Sequence, residues 1–128
     1  MKKKNKAIYL LFLMPFVYFA TACFVVWLVK TSGIYPSGSD TMYHVYRGDY
    51  VYNAIKSGNW YPLYDPAWYN GVEIMRYWAP LTAYYMALCQ MIAGGGQLAG
   101  YLIFVGSVCF FNSILSVSYT HLTLPTIL

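Results

Sequence analysis

The sequence predicts an all-α integral membrane fold, with about three transmembrane helices and a juxtamembrane amphipathic helix in the first extracytoplasmic loop. Three observations predict it. The composition is 59% hydrophobic and only 9% charged, far below the roughly 25% charged content of a soluble domain. Residues 7–29 (AIYLLFLMPFVYFATACFVVWLV) carry no charge, and no Lys, Arg, Asp or Glu follows Arg76. All four acidic residues, Asp40, Asp49, Asp65 and Glu73, fall in one Tyr/Trp-rich stretch between these apolar regions. Chemistry is therefore expected there.

Residues 1–6 form a basic tail containing Lys2, Lys3, Lys4 and Lys6. The 7–29 run, at about 1.5 Å per residue, gives a helix of roughly 34 Å, enough for a bilayer core. Pro15 is tolerable there, because neighbouring helices and local adjustments satisfy the freed carbonyl. A cleaved signal peptide is the competing reading, since MKKKNK is a basic leader, Ala20-Thr21-Ala22 fits a cleavage site and Ala22-Cys23 faintly resembles a lipoprotein site. Against it, the apolar run continues past Cys23 as FVVWLV. The concentration of Lys at the N-terminus places that end in the cytoplasm and residues 30–76 outside, while Lys30 and Arg76 beside helix ends pull the other way.

Within the 30–76 loop, Ser39 and Asp40 are good helix caps, and residues 41–56 form the expected amphipathic helix, with Tyr43, Tyr46, Tyr50 and Ala54 on one face. Such a helix suits the membrane surface. Its spacing puts Asp40, His44 and Arg47 on one side over about 10 Å. Asp40 is the candidate catalytic carboxylate, a general base or a metal ligand; His44 and Arg47 are candidate substrate-binding groups, with Arg47 clamping a phosphate. The alternative is a capping Asp followed by a solvated helix face.

Gly58-Asn59-Trp60-Tyr61-Pro62 ends the helix, and Asp65-Pro66 and Asn70-Gly71 are turn signals, so residues 58–73 are expected as an irregular loop. Trp60 and Tyr61, with Tyr64, Trp68 and Tyr69, either stack on sugar rings and headgroups or pack onto other loops. Asp65 and Glu73 are secondary carboxylate candidates, Asp65 as one of the substrate-binding residues. Arg76 contacts lipid phosphate or anchors the next helix by snorkelling.

The second helix is expected over 77–93, opened by Pro80 in its first turn and by interfacial Tyr77 and Trp78. Its apolar part is near the lower limit for crossing and carries Gln90, so a re-entrant or packed segment stays open. A cytoplasmic glycine turn at 94–97 leads to a third helix at 98–115. Residues 116–128 (SVSYTHLTLPTIL) break the apolar pattern and are expected to be a non-native tail on a truncated chain, a short native tail being the alternative.

Cys23, Cys89 and Cys109 lie in apolar segments with no CxxC spacing, and no phosphate-binding glycine loop, G-x-S-x-G or basic nucleic-acid patch is present. A divalent metal is conceivable as cofactor but has no supporting ligand spacing. Nucleic acid is not expected as a partner; membrane lipid is.

The order of an apolar helix, SDTMYHVYR, KSGNWYPLYDP, NG and then YWAPLTAYYMAL resembles the N-terminal part of bacterial polytopic membrane proteins related in name to 6-pyruvoyl-tetrahydropterin synthase. These in turn resemble YfhO-type and other GT-C glycosyltransferases. The resemblance covers about residues 7–115. It implies a multi-pass protein of the bacterial cell membrane that transfers a sugar from a polyprenyl-phosphate donor at the outer face, with Asp40 at the position of the family's loop carboxylate. The sequence departs from the pattern in lacking an acidic neighbour to Asp40 and the His-rich zinc site of the pterin synthases. The reading from another class is a non-catalytic membrane subunit or transporter component with an aromatic binding loop.

Overall fold

In the computed structural model, backbone is described for residues 2–35, 38 and 40–127, and side chains for 13–35, 38 and 40–116. Four helices follow in order: α1 (Lys2–Ser32), α2 (Thr41–Lys56), α3 (Pro80–Ile92) and α4 (Gln97–Ile127). Among the described residues there is no strand, only an isolated antiparallel bridge between Asp65 and Val72. Among the described residues, two helices are long and apolar enough to cross a membrane, over Leu13–Ser32 and Gln97–Ser116. That is one fewer than the three expected. α3 has 13 residues, about 20 Å of helix against a hydrocarbon core of roughly 30 Å. α4 runs through the 116–128 segment as far as Ile127; the side chains there lie outside the described residues.

The chain forms two compact units, Met1–Thr31 with Val105–Leu128, and Ser32–Phe104. In the first, Phe110 meets Phe19 edge-on at 6.1 Å, and Gly106 lies against Val26. These pairings descend along one helix as they ascend along the other, so the two run antiparallel. Outward they expose Phe16, Phe19, Phe24, Trp27, Phe111 and Leu115.

The second unit is built on α2 and α3. Gly48 sits on Met86, Asp49 accepts a hydrogen bond from Gln90 Nε2 at 2.7 Å, and Tyr52 reaches Gly95. The pairs ascend together, so α2 and α3 lie parallel and residues 57–79 must return the full length of the helices. Both helices stop on the same device. The N–H groups of Gly58 and Asn59 bond the carbonyls of Ile55 and Ala54, as those of Gly94 and Gly95 bond Met91 and Gln90. Each is a Schellman motif whose first residue outside the helix is left-handed, φ 88° at Gly58 and 72° at Gly94, a conformation glycine adopts at little steric cost.

Val51, Ile74, Met75, Ala83 and Ala87 form the core of this unit, each at most 8% exposed. Removing side chains the size of Val, Ile or Met from water contributes about 1.5–3 kcal/mol each. Three phenols then fasten the returning segment: Tyr50 donates to the Tyr64 carbonyl at 2.7 Å, Tyr84 to the Trp60 carbonyl at 2.7 Å, and Tyr46 to the Asp65 carboxylate. The Tyr43/Tyr46/Tyr50 face of α2, expected to rest on the membrane, is thus occupied by the chain's own loop. α4 joins through Gly100, which rests on the Gln90 backbone.

A methyl group separates the two kinds of close contact. At Gly100 it would come within 2.6 Å of Gln90 Cα, whereas at Gly106 it would meet only the tip of Val26 at 2.9 Å. Gly100→Ala is expected to lower stability by about 1–3 kcal/mol, and Gly106→Ala by clearly less. Thermal unfolding in detergent, followed by circular dichroism, measures the difference.

Candidate functional site

The N-terminal end of α2 carries the candidate groups, and the parallel arrangement brings the N-terminus of α3 beside it. Asp40 holds the cap position, yet its side chain makes no capping hydrogen bond and is exposed. It lines an open groove of about 420 Å³ with Met42, Tyr43, Trp68, Tyr69 and Val72. His44 faces a different groove of about 410 Å³, shared with Thr41, Trp78, Thr82, Met86, Tyr101 and Phe104. Its ring meets Trp78 edge-on at 5.1 Å. Tyr43 and Trp78, their centroids 6.3 Å apart, form the wall between the two grooves.

Arg47 does not join Asp40. It is 1% exposed, with Nη2 donating to the Trp78 carbonyl at 3.2 Å, a contact to the Met75 sulfur at 3.8 Å, and its guanidinium 5.6 Å over the Tyr43 ring. Helical phase predicted a shared side; what separates them is the position of α3. The residues at 47, 48 and 51 face α3 and the Ile74–Trp78 segment and are buried there, while Asp40 precedes the contact and stays in solvent. Among the described residues Arg47 has no carboxylate partner, and its Nε has no hydrogen-bond partner. Burial lowers its pKa.

Asp65 is also inward, 2% exposed. One carboxylate oxygen accepts from Tyr46, and the other accepts the Ala67 N–H at 2.9 Å, an Asx turn of the kind Asp-Pro invites. Its backbone makes both bridge hydrogen bonds to Val72, each 2.9 Å. Trp60 and Tyr61 leave their rings 72% and 60% exposed. Tyr61 and Arg76 line a third groove, about 220 Å³, where Arg76 pairs with Glu73 at 2.8 Å in solvent. The sequence-predicted residues are therefore divided among three grooves, the interior and, for Trp60, the exposed surface.

No protein-family model, curated protein or solved structure matches the chain.

Trp68 and Tyr69, expected to stack or to pack onto loops, and Trp78, expected as an interfacial residue, shape the grooves beside Asp40 and His44, a placement the sequence reading did not give them. Tyr69-Asn70-Gly71 at a hairpin tip was the available signal, because Asn-Gly favours a tight turn and places the two preceding aromatics at its edge. Trp78 had none, since its role depends on α3 lying parallel to α2. The His44 groove receives two helix N-termini, each equivalent to roughly half a positive charge, with Thr41 and Thr82 hydroxyls at its rim. Among the described residues no group of three His, Cys, Asp or Glu side chains converges. A divalent ion in the Asp40 groove would meet one carboxylate among aromatics, a donor set that does not fit it.

Burial, with the Asp65 hydrogen bond second, pushes the Tyr46 pKa up to about 12. A phenol whose folded pKa exceeds its unfolded value of 10.0 stabilises the fold fully below that pH and loses the contribution as pH rises towards 12. At neutral pH, Tyr46→Phe is expected to cost about 1.5–3 kcal/mol, typical of a hydrogen bond to a charged group. The gap between wild type and variant should narrow from pH 10 upward, measurable by chemical unfolding at stepped pH.

Proposed function

We propose that this chain is a membrane-anchored part of a polytopic envelope protein that transfers a sugar from a polyprenyl-phosphate-linked donor at the extracytoplasmic face. The carrying observation is the Asp40 carboxylate, uncommitted to capping and facing an aromatic groove. In this reading Asp40 takes the proton from an acceptor hydroxyl. The resulting oxygen attacks the anomeric carbon, and the bond from that carbon to the phosphate oxygen breaks, the leaving phosphate keeping the electron pair. The donor phosphate sits in the His44 groove, where the N-termini of α2 and α3 and the hydroxyls of Thr41 and Thr82 favour an anion. Its hydrocarbon follows Tyr101 and Phe104 along the start of α4. Arg47 acts from beneath, by its charge and by bracing Tyr43 and Trp78, and not by direct contact.

Asp40→Asn in the reconstituted protein is expected to reduce sugar transfer from a polyprenyl-phosphate donor by at least about a hundredfold, a typical contribution of general base catalysis. Insertion and folding should be unchanged. Transfer at the wild-type rate would sink the assignment. A non-catalytic binding role is favoured by one observation: Arg47 and Asp65 are committed to the fold, leaving Asp40 as the one carboxylate lining the two grooves at the N-terminal end of α2.

The two apolar helices are proposed to cross the membrane, with α2, α3 and the 94–97 turn all outside. Tyr35, just beyond α1, donates to Gln97 Oε1 at 3.3 Å, and its ring meets Tyr101 at 5.1 Å. Those contacts, inside the second unit, support the start of α4 lying on the same side of the membrane as the segment that follows α1. Single cysteines at Ser57 and Gly96, introduced with the native cysteines replaced, should both react with an impermeant thiol reagent added from the outer face. Labelling of the Gly96→Cys variant from the cytoplasm alone would restore a spanning α3.

A further inference from the structure

Beside Asp40, the segment from Asp65 to Val72 is a hydrogen-bonded hairpin that carries two aromatic rings. Its base is closed by the paired hydrogen bonds between Asp65 and Val72, its turn by Gly71 N–H to the Trp68 carbonyl at 2.8 Å, and its first corner by the Asp65 side chain on Ala67 N–H. Trp68 leans on Tyr46 at 4.4 Å and Tyr43 at 5.4 Å. At the tip, Tyr69 and Asn70 both adopt left-handed backbone, φ 50° and 63°, which costs an L residue other than glycine on the order of 1 kcal/mol or more. The result is a Tyr69 ring 86% exposed, set at 68° to Trp68 with centroids 5.7 Å apart.

We infer that the Asp65–Val72 hairpin and Asp40 form a saccharide-binding subsite that takes a neutral pyranose, with Tyr69 as the stacking platform. The inference rests on the sugar-transfer reading and extends it to residues that do not react. An exposed aromatic face offers the apolar C–H side of a sugar ring a surface that water cannot match, and a free carboxylate accepts two ring hydroxyls. The surroundings weigh against the charged ligands that aromatic walls attract. A quaternary ammonium, though drawn by the Asp40 carboxylate, would have to share Tyr43 with the Arg47 guanidinium already 5.6 Å from that ring. A phosphate would face the Asp40 carboxylate. A neutral polyhydroxylated ring meets neither repulsion.

The test is saturation-transfer NMR on the full chain in lipid nanodiscs, without any lipid donor, using methyl α-glucoside, methyl α-mannoside, methyl α-galactoside and N-acetylglucosamine. Choline and inorganic phosphate serve as charged competitors. At least one sugar should show transfer to its ring C–H protons. Its dissociation constant should rise about tenfold or more in Tyr69→Ala and in Asp40→Ala, and stay level in Tyr77→Ala, another largely exposed aromatic, outside the groove. Tyr69→Ala leaves the hairpin's hydrogen bonds in place, and an unchanged circular dichroism spectrum separates lost binding from lost fold. No transfer to any of the four sugars, equal affinity in Tyr69→Ala, or displacement by choline or phosphate would overturn the subsite. Binding retained alongside an active Asp40→Asn enzyme would instead remove the transfer reading and keep the subsite.

Discussion

The parallel contact of α2 with α3 is the constraint from which the rest of the second unit follows. Gly48 allows the helices to approach until Met86 lies directly on the α2 backbone. Asp49 and Gln90 then fix the register with a charge-assisted hydrogen bond in a setting where Gln90 is 5% exposed. Parallel neighbours cannot be joined by a short turn, so residues 57–79 must travel back along the pair. That return path creates every candidate groove: it lays Trp68 and Tyr69 beside Asp40, Trp78 beside His44, and Arg76 beside Tyr61. It also sets the electrostatics, because parallel helices put both positive ends together and antiparallel ones would cancel.

Arg47 is the cost of this arrangement. A guanidinium held at 1% exposure with a carbonyl, a sulfur and one aromatic face recovers only part of its hydration free energy, since no carboxylate offsets it. Its contacts are with the wall above it. The guanidinium lies under Tyr43 and is bonded to the Trp78 backbone, the two residues that separate the Asp40 and His44 grooves. A positive charge there lowers the energy of anions on the His44 side and disfavours cations on the Asp40 side.

Much of the helical layout was legible in the sequence, and the reasons are local. Residues 41–56 are bounded by cap and breaker chemistry, Asp40 before and Gly58 after, and the helix occupies that interval. Gly94-Gly95-Gly96 likewise announced the end of α3, and Pro80 its first turn. What was not legible is non-local. The Tyr43/Tyr46/Tyr50 stripe correctly marks a covered face, but a hydrophobic stripe does not say whether lipid or the chain's own loop covers it. Asp65 reads as a free carboxylate until Tyr46, nineteen residues earlier, is placed against it. Asp40 and Arg47 share a helical phase, and only the point at which α3 begins separates an exposed cap from a buried cation. Apolar composition over 77–93 matched a spanning helix, yet the 13 residues that become helical belong to a packed pair.

The shortness of α3 also gives the site its depth. Because α3 stays on α2, Tyr35 can bond Gln97 and Tyr101 can line the groove that His44 shares. A ligand in that groove meets polar groups from α2 and α3 and aromatic rings from the first two turns of an apolar helix. Such a pairing suits a molecule with a charged head and a hydrocarbon body. The Asp40 groove, bounded only by α2 and the hairpin, has no wall from an apolar helix. The two sides of the Tyr43–Trp78 wall thus differ in kind, one lined by aromatic rings of an apolar helix and one not, and the proposed transfer between a lipid-borne donor and a water-borne acceptor would use that difference.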